Sequence, residues 1–103
     1  MTFHPKLVRD KIPKVIRESG KECSYRKLDP DEYPAHLCKK MREELLEFEE
    51  TPNLEEAADI YEVFLAMLSH WKLSVSDVTA TAQSKRRTRG GFFEGVFLES
   101  VEE

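Results

Sequence analysis

The sequence predicts a mainly all-α protein: a bundle of about four helices around an antiparallel central hairpin, in one domain spanning residues 1–103. Two observations carry this. Apolar residues recur at helical rather than alternating spacing through the middle of the chain. Helix-start residues punctuate it at Asp29, Asn53 and Ser74. A 40% hydrophobic content, arranged periodically, is compatible with folding despite a 35% charged content. A helical chain of 103 residues builds a thin core, so a homodimer or homotetramer is expected.

In chain order, residues 1–12 mix basic and apolar residues without a clear period. Pro13 opens a short helix over PKVIRES, which Gly20 stops. Residues 23–28, CSYRKL, read as extended. Asp29-Pro30-Asp31-Glu32 is a start signal, with Asp29 as N-cap, Pro30 at the first helical position and Glu32 closing a capping box. That helix runs to about Glu50. Thr51-Pro52-Asn53 turns the chain into a helix ending near Trp71 or Lys72. Ser74 with Asp77 starts the last helix, which Gly90-Gly91 ends. The aromatic tail over residues 93–99 predicts a short strand paired with residues 23–28.

Composition narrows the function classes. A net charge of −4 argues against a protein that coats nucleic acid. No apolar run approaches the roughly 18–20 residues that span a bilayer, so no membrane partner is expected. The N-terminus lacks the apolar core of a signal peptide. Cys23 and Cys38, without metal-type spacing, read as free thiols in a reducing cytoplasm.

Residues 43–59, EELLEFEETPNLEEAAD, carry the chemistry. At about 100° per residue, Leu37, Met41, Leu45 and Phe48 share one face of the first long helix. Glu44 falls beside that face, where an unpaired carboxylate is costly, while Glu43 and Glu50 point away. On the next helix Glu56 projects between Val63 and Met67, and Asp59 lies on the rim. Glu47 and Glu56 are equidistant from the Thr51–Pro52 turn, and so are Glu44 and Asp59. In an antiparallel hairpin these four carboxylates converge on one patch. All-oxygen ligation of this kind suits Mg²⁺ or Mn²⁺, and the lack of His or Cys at matching spacing disfavours Zn²⁺. The same residues also fit a plain charged hairpin, with Glu56 closing a capping box with Asn53 and Glu44 paired to a lysine or arginine.

Glu44-x-x-Glu47 followed by Glu56-x-x-Asp59 resembles the ExxE…ExxD signature of the MazG-like all-α nucleoside triphosphate pyrophosphohydrolase superfamily. KLVRDKIPKVI at residues 6–16 and KRRTRGGF at residues 85–92 resemble blocks of its phosphoribosyl-ATP pyrophosphohydrolase-like subfamily. The gap between the two carboxylate pairs is shorter than in that signature. The resemblance implies a helical bundle assembled into dimers or tetramers, with Mg²⁺ bound by Glu44, Glu47, Glu56 and Asp59. It implies cleavage of a nucleoside triphosphate between the α and β phosphates to the monophosphate and pyrophosphate, of the house-cleaning type. Phosphoribosyl-ATP hydrolysis in histidine biosynthesis is the alternative within the group, and a non-catalytic nucleotide- or partner-binding module is the alternative outside it.

Phosphoanhydride chemistry also needs cations for the phosphate tail and a positioned water. Lys6, Arg9 and Lys11 form one basic cluster, with Asp10 as a partner that would order it. Lys85, Arg86, Arg87 and Arg89 before Gly90-Gly91 form a second, with Lys85, Arg86 and Arg89 as candidate phosphate ligands. A helix C-terminus also draws cations through its dipole, which gives this second cluster a purely structural reading. Glu43 or one of the four clustered carboxylates would orient the water. His4, His36 and His70 share no ligand spacing. Tyr61, Phe64 and Trp71 read as core or subunit interface, and Phe92 and Phe93 as packing residues, with stacking on a base as the alternative.

Overall fold

A computed structural model describes residues 3–102. It contains four helices: α1 (Ile12–Glu18), α2 (Tyr33–Glu50), α3 (Leu54–His70) and α4 (Val75–Arg89), with no strand among the described residues. Among the described residues, the only extensive helix–helix packing is between α2 and α3, the predicted central hairpin.

Local chemistry explains each boundary. The chain after α1 turns through Gly20 at φ +90°. It then runs back along the helix: the Cys23 thiol approaches the Pro13 carbonyl at 3.7 Å, and the Arg17 guanidinium lies 5.3 Å from the centre of the Tyr25 ring. These contacts correct the expectation of a β element from residues 23–28 and 93–99. The first segment is engaged with α1. The second stays exposed, with Phe97 at 84%, and neither meets a ladder partner.

Helix α2 starts later than the sequence predicts, and half of the capping box forms. The Glu32 carboxylate accepts from the Asp29 amide at 2.8 Å, but the Asp29 side chain caps nothing. Arg26 grips the same carboxylate at 2.7 and 3.0 Å, which fixes residues 30–32 as a turn before the helix. The other two starts form as predicted. Asn53 Oδ1 accepts from the Glu56 amide at 2.8 Å, and Ser74 Oγ from the Asp77 amide at 3.0 Å. Helix α3 ends with Lys72 at φ +58°; the Lys72 amide donates to Ser69 and the Leu73 amide to Leu68.

Burial is slight. Leu37 on α2 and Leu68 on α3 form the core, and the third buried residue is Glu44. Tyr61, Phe64 and Trp71 are exposed within this chain, so none of them is core here. His70 packs edge-on against Tyr33 and Trp71. Helix α4 has one half-buried residue, Val78. The radius of gyration is 18.3 Å and the long axis 60 Å. A compact chain of this length has a radius near 13 Å, so the molecule is elongated. Cys23 and Cys38 are free thiols. No described helix is long and apolar enough to cross a membrane.

Candidate metal centre

The hairpin brings the four predicted carboxylates together. Glu44 and Glu47 on α2 and Glu56 and Asp59 on α3 each place one carboxylate oxygen within 4.8 Å of the other three. The i, i+3 spacing puts each pair on one helix face, and the three-residue turn sets the two pairs level. Glu44 is buried because it continues the inward stripe of Leu37 and Met41; Glu56 and Asp59 are half-buried and Glu47 is exposed.

The cluster is only partly neutralised by the protein. Lys40 Nζ lies 3.1 Å from Glu44 Oε1 and 3.6 Å from Glu43 Oε2. Arg9 Nη2 donates to Asp59 Oδ1 at 2.6 Å. Two oxygens remain buried without any hydrogen-bond partner: Glu44 Oε2 and Glu56 Oε2. A charged oxygen in that condition is costly, and such groups in a native fold are met by a water, a proton shared with a neighbouring carboxylate, or an ion. Burial pushes the Glu56 carboxyl above its ordinary range, and the facing charges of Glu47, Asp59 and Glu44 add to the effect. The Arg9 guanidinium is held above its ordinary value by its hydrogen bond to Asp59, with the charges of Asp59, Glu62 and Glu44 adding to it.

A hard divalent cation fits this donor set. The ligands are all carboxylate oxygens from two helices, and two of those oxygens lack any other partner. The Glu56 amide donates to the Asn53 cap at 2.8 Å, while its carboxylate joins the cluster rather than closing a capping box.

The predicted phosphate ligands divide. Arg9 reaches the centre through Asp59, and not through Asp10. Lys6 lines a crevice with Leu7 and the α2 residues His36, Lys39, Lys40 and Glu43, beside the carboxylates. Lys11 stands exposed at the start of α1. Lys85, Arg86 and Arg89 are exposed on α4 and form no ion pair among the described residues. Lys85 shares a groove with Lys72 and Leu73, at the far end of α3 from Asp59. That end is roughly 17 Å along the helix axis from Asp59. Within one chain, therefore, the second basic cluster is not at the centre. Lys40 is the residue that reading by spacing of acids missed. Its signal was present four positions before Glu44, the distance at which a lysine and a glutamate meet on one helix face.

No protein-family model matches the chain, and no curated protein or solved structure matches it significantly.

Proposed function

We propose that this protein hydrolyses a nucleoside triphosphate at the α–β phosphoanhydride, giving the monophosphate and pyrophosphate, with Mg²⁺ or Mn²⁺ at the four-carboxylate centre. The observation that carries the reading is the convergence of Glu44, Glu47, Glu56 and Asp59 with two buried, unpartnered oxygens among them. The ExxE…ExxD pattern and the basic blocks, which resemble those of MazG-like pyrophosphohydrolases, give the reaction class.

Glu44, Glu47, Glu56 and Asp59 would hold the cation. When bound, it would supply charge neutralisation at the phosphate oxygens and acidify a water. The chain's own residues do the rest. Lys40 holds Glu44 Oε1, which leaves Oε2 buried and free of any partner in the protein. Glu43, half-buried and tied to Lys40, stands next to Glu44 as a group to orient the attacking water and take its proton. Arg9 and Lys6 lie on the N-terminal side of the hairpin, where a phosphate tail needs donors. Hydrolysis adds one water: a P–O bond forms, the bridging P–O bond breaks, and pyrophosphate leaves.

The reading includes a homo-oligomer. Exposed Tyr61 and Phe64 on α3, exposed Trp71 just after it, the exposed apolar tail and the elongated shape all support it. Assembly would also give Lys85, Arg86 and Arg89 a route to a phosphate, at the centre of a second copy.

The test is release of pyrophosphate from a panel of canonical, deoxy and modified nucleoside triphosphates, plus phosphoribosyl-ATP, with Mg²⁺ or with EDTA. Metal-dependent release from at least one substrate, lost in Asp59→Asn, is the expected result. Full release by Asp59→Asn, or none by folded wild-type protein with either metal, refutes the assignment.

A further inference from the structure

The N-terminal segment contacts the acidic centre through Arg9, from fifty residues away in sequence. Lys6 and Leu7 of the same segment lie over α2 beside Lys40 and Glu43, while Arg9 crosses to Asp59 on α3. The segment therefore straps both helices of the hairpin at the level of the carboxylates. The guanidinium occupies an Asp59 oxygen, and a carboxylate oxygen of Asp59 is among those that converge with the other three. The pair is exposed on both sides, 55% for Arg9 and 37% for Asp59. An ion pair so exposed is weak and readily exchanged.

We infer that Arg9 is a tethered cation that occupies Asp59 until a divalent ion displaces it, and that the guanidinium so released becomes a ligand for phosphate. Two features favour exchange over coexistence. The four carboxylates already carry Lys40 as a permanent counter-ion, since its side chain is only 19% exposed and its ammonium touches Glu44 at 3.1 Å. A second cation lodged on the Asp59 carboxylate then competes with a divalent ion for its charge. Arginine is also suited to the second state, because its planar fork matches phosphate oxygens bidentately. Metal before phosphate is the order that follows, with each strengthening the other through Arg9. The inference rests on the metal-centre part of the reading above and not on the hydrolytic step.

Two measurements on the full chain test it. In calorimetric titration with Mg²⁺ alone, Arg9→Gln binds the ion about two- to fivefold more tightly than wild type, the weight of an exposed ion pair. In limited trypsin digestion of wild type, cleavage after Arg9 is slow in EDTA, accelerates with Mg²⁺, and slows again when inorganic phosphate is added with Mg²⁺. Cleavage after Lys21, beyond the strap, serves as the internal reference and stays constant. Equal or weaker Mg²⁺ binding by Arg9→Gln, or cleavage after Arg9 indifferent to Mg²⁺ in a wild type that binds it, overturns the exchange and leaves the metal centre standing. Cleavage accelerated by Mg²⁺ but indifferent to phosphate overturns the phosphate half. A wild type that binds no Mg²⁺ overturns both the exchange and the centre.

Discussion

Glu44→Gln raises the thermal stability of the metal-free protein, although it removes a buried charge that pairs with a lysine. Glu44 faces three other carboxylates whose oxygens lie within 4.8 Å. At an effective dielectric constant near 20, each such contact costs about 3 kcal/mol, roughly 10 kcal/mol together. Lys40 at 3.1 Å is the opposing contact. It returns about 5 kcal/mol on the same scale. Glu47 is exposed, and Glu56 and Asp59 are half-exposed, so solvent and salt screen most of the difference. What remains is about 1–2 kcal/mol in favour of glutamine, because Lys40 keeps Glu43 at 3.6 Å as a partner and is not left as an unpaired charge. For a domain of this size that is a rise of roughly 5–10 °C in Tm. The assay is thermal unfolding followed by circular dichroism, at one protein concentration, in EDTA and then in Mg²⁺. Wild type gains about 2.7 kcal/mol at a hundredfold excess of ion over Kd, and the variant gains less. A variant that melts well below wild type in EDTA, with a wild-type curve that Mg²⁺ leaves unmoved, would show Glu44 to be a structural partner of Lys40 and refute the reasoning.

Three further outcomes follow from the fold. Lys72→Gly stabilises the α3–α4 corner by about 0.5–1 kcal/mol, because residue 72 has φ +58° and closes the helix end where glycine is unstrained; a drop in urea midpoint refutes this. Leu37→Ala costs about 2–5 kcal/mol, since Leu37 is 2% exposed in a core of two leucines, and equilibrium urea unfolding reads it directly. Glu32 is held at about 2 by Arg26 first and the Asp29 amide second, below its ordinary 4.5. A depressed carboxyl stabilises the fold above the unfolded value and loses that contribution as pH falls through the folded one. Acid titration of wild type therefore shows a loss of stability between pH 4.5 and about 2 that Glu32→Gln lacks.

The parts legible in the sequence are those set by short-range chemistry. Asn53 and Ser74 accept the amides three residues on, as their residue types announce, so α3 and α4 begin where the pattern places them. The carboxylate centre was legible because a short turn mirrors positions on either side of it, and i, i+3 spacing keeps each pair on one face. What was not legible depends on side chains choosing among partners. Glu32 has both the Asp29 amide and Arg26, and the second shifts the start of α2. Residues 23–28 have the apolar and aromatic content of a strand, but α1 supplies nearer partners in Pro13 and Arg17. The Arg9–Asp59 contact spans fifty positions and leaves no local trace. Helix α4 has no apolar stripe to dictate a packing side, so the place of Lys85, Arg86 and Arg89 relative to the centre could not be read from spacing.

The central claim is that Glu44, Glu47, Glu56 and Asp59 jointly hold a divalent cation. Anomalous X-ray scattering from crystals grown with Mn²⁺ tests it most directly. The account predicts a Mn²⁺ peak between α2 and α3, in contact with oxygens of these four residues and absent in Glu44→Gln crystals. A hairpin folded as described, with its carboxylates in place and no Mn²⁺ peak among them at saturating ion, would contradict it.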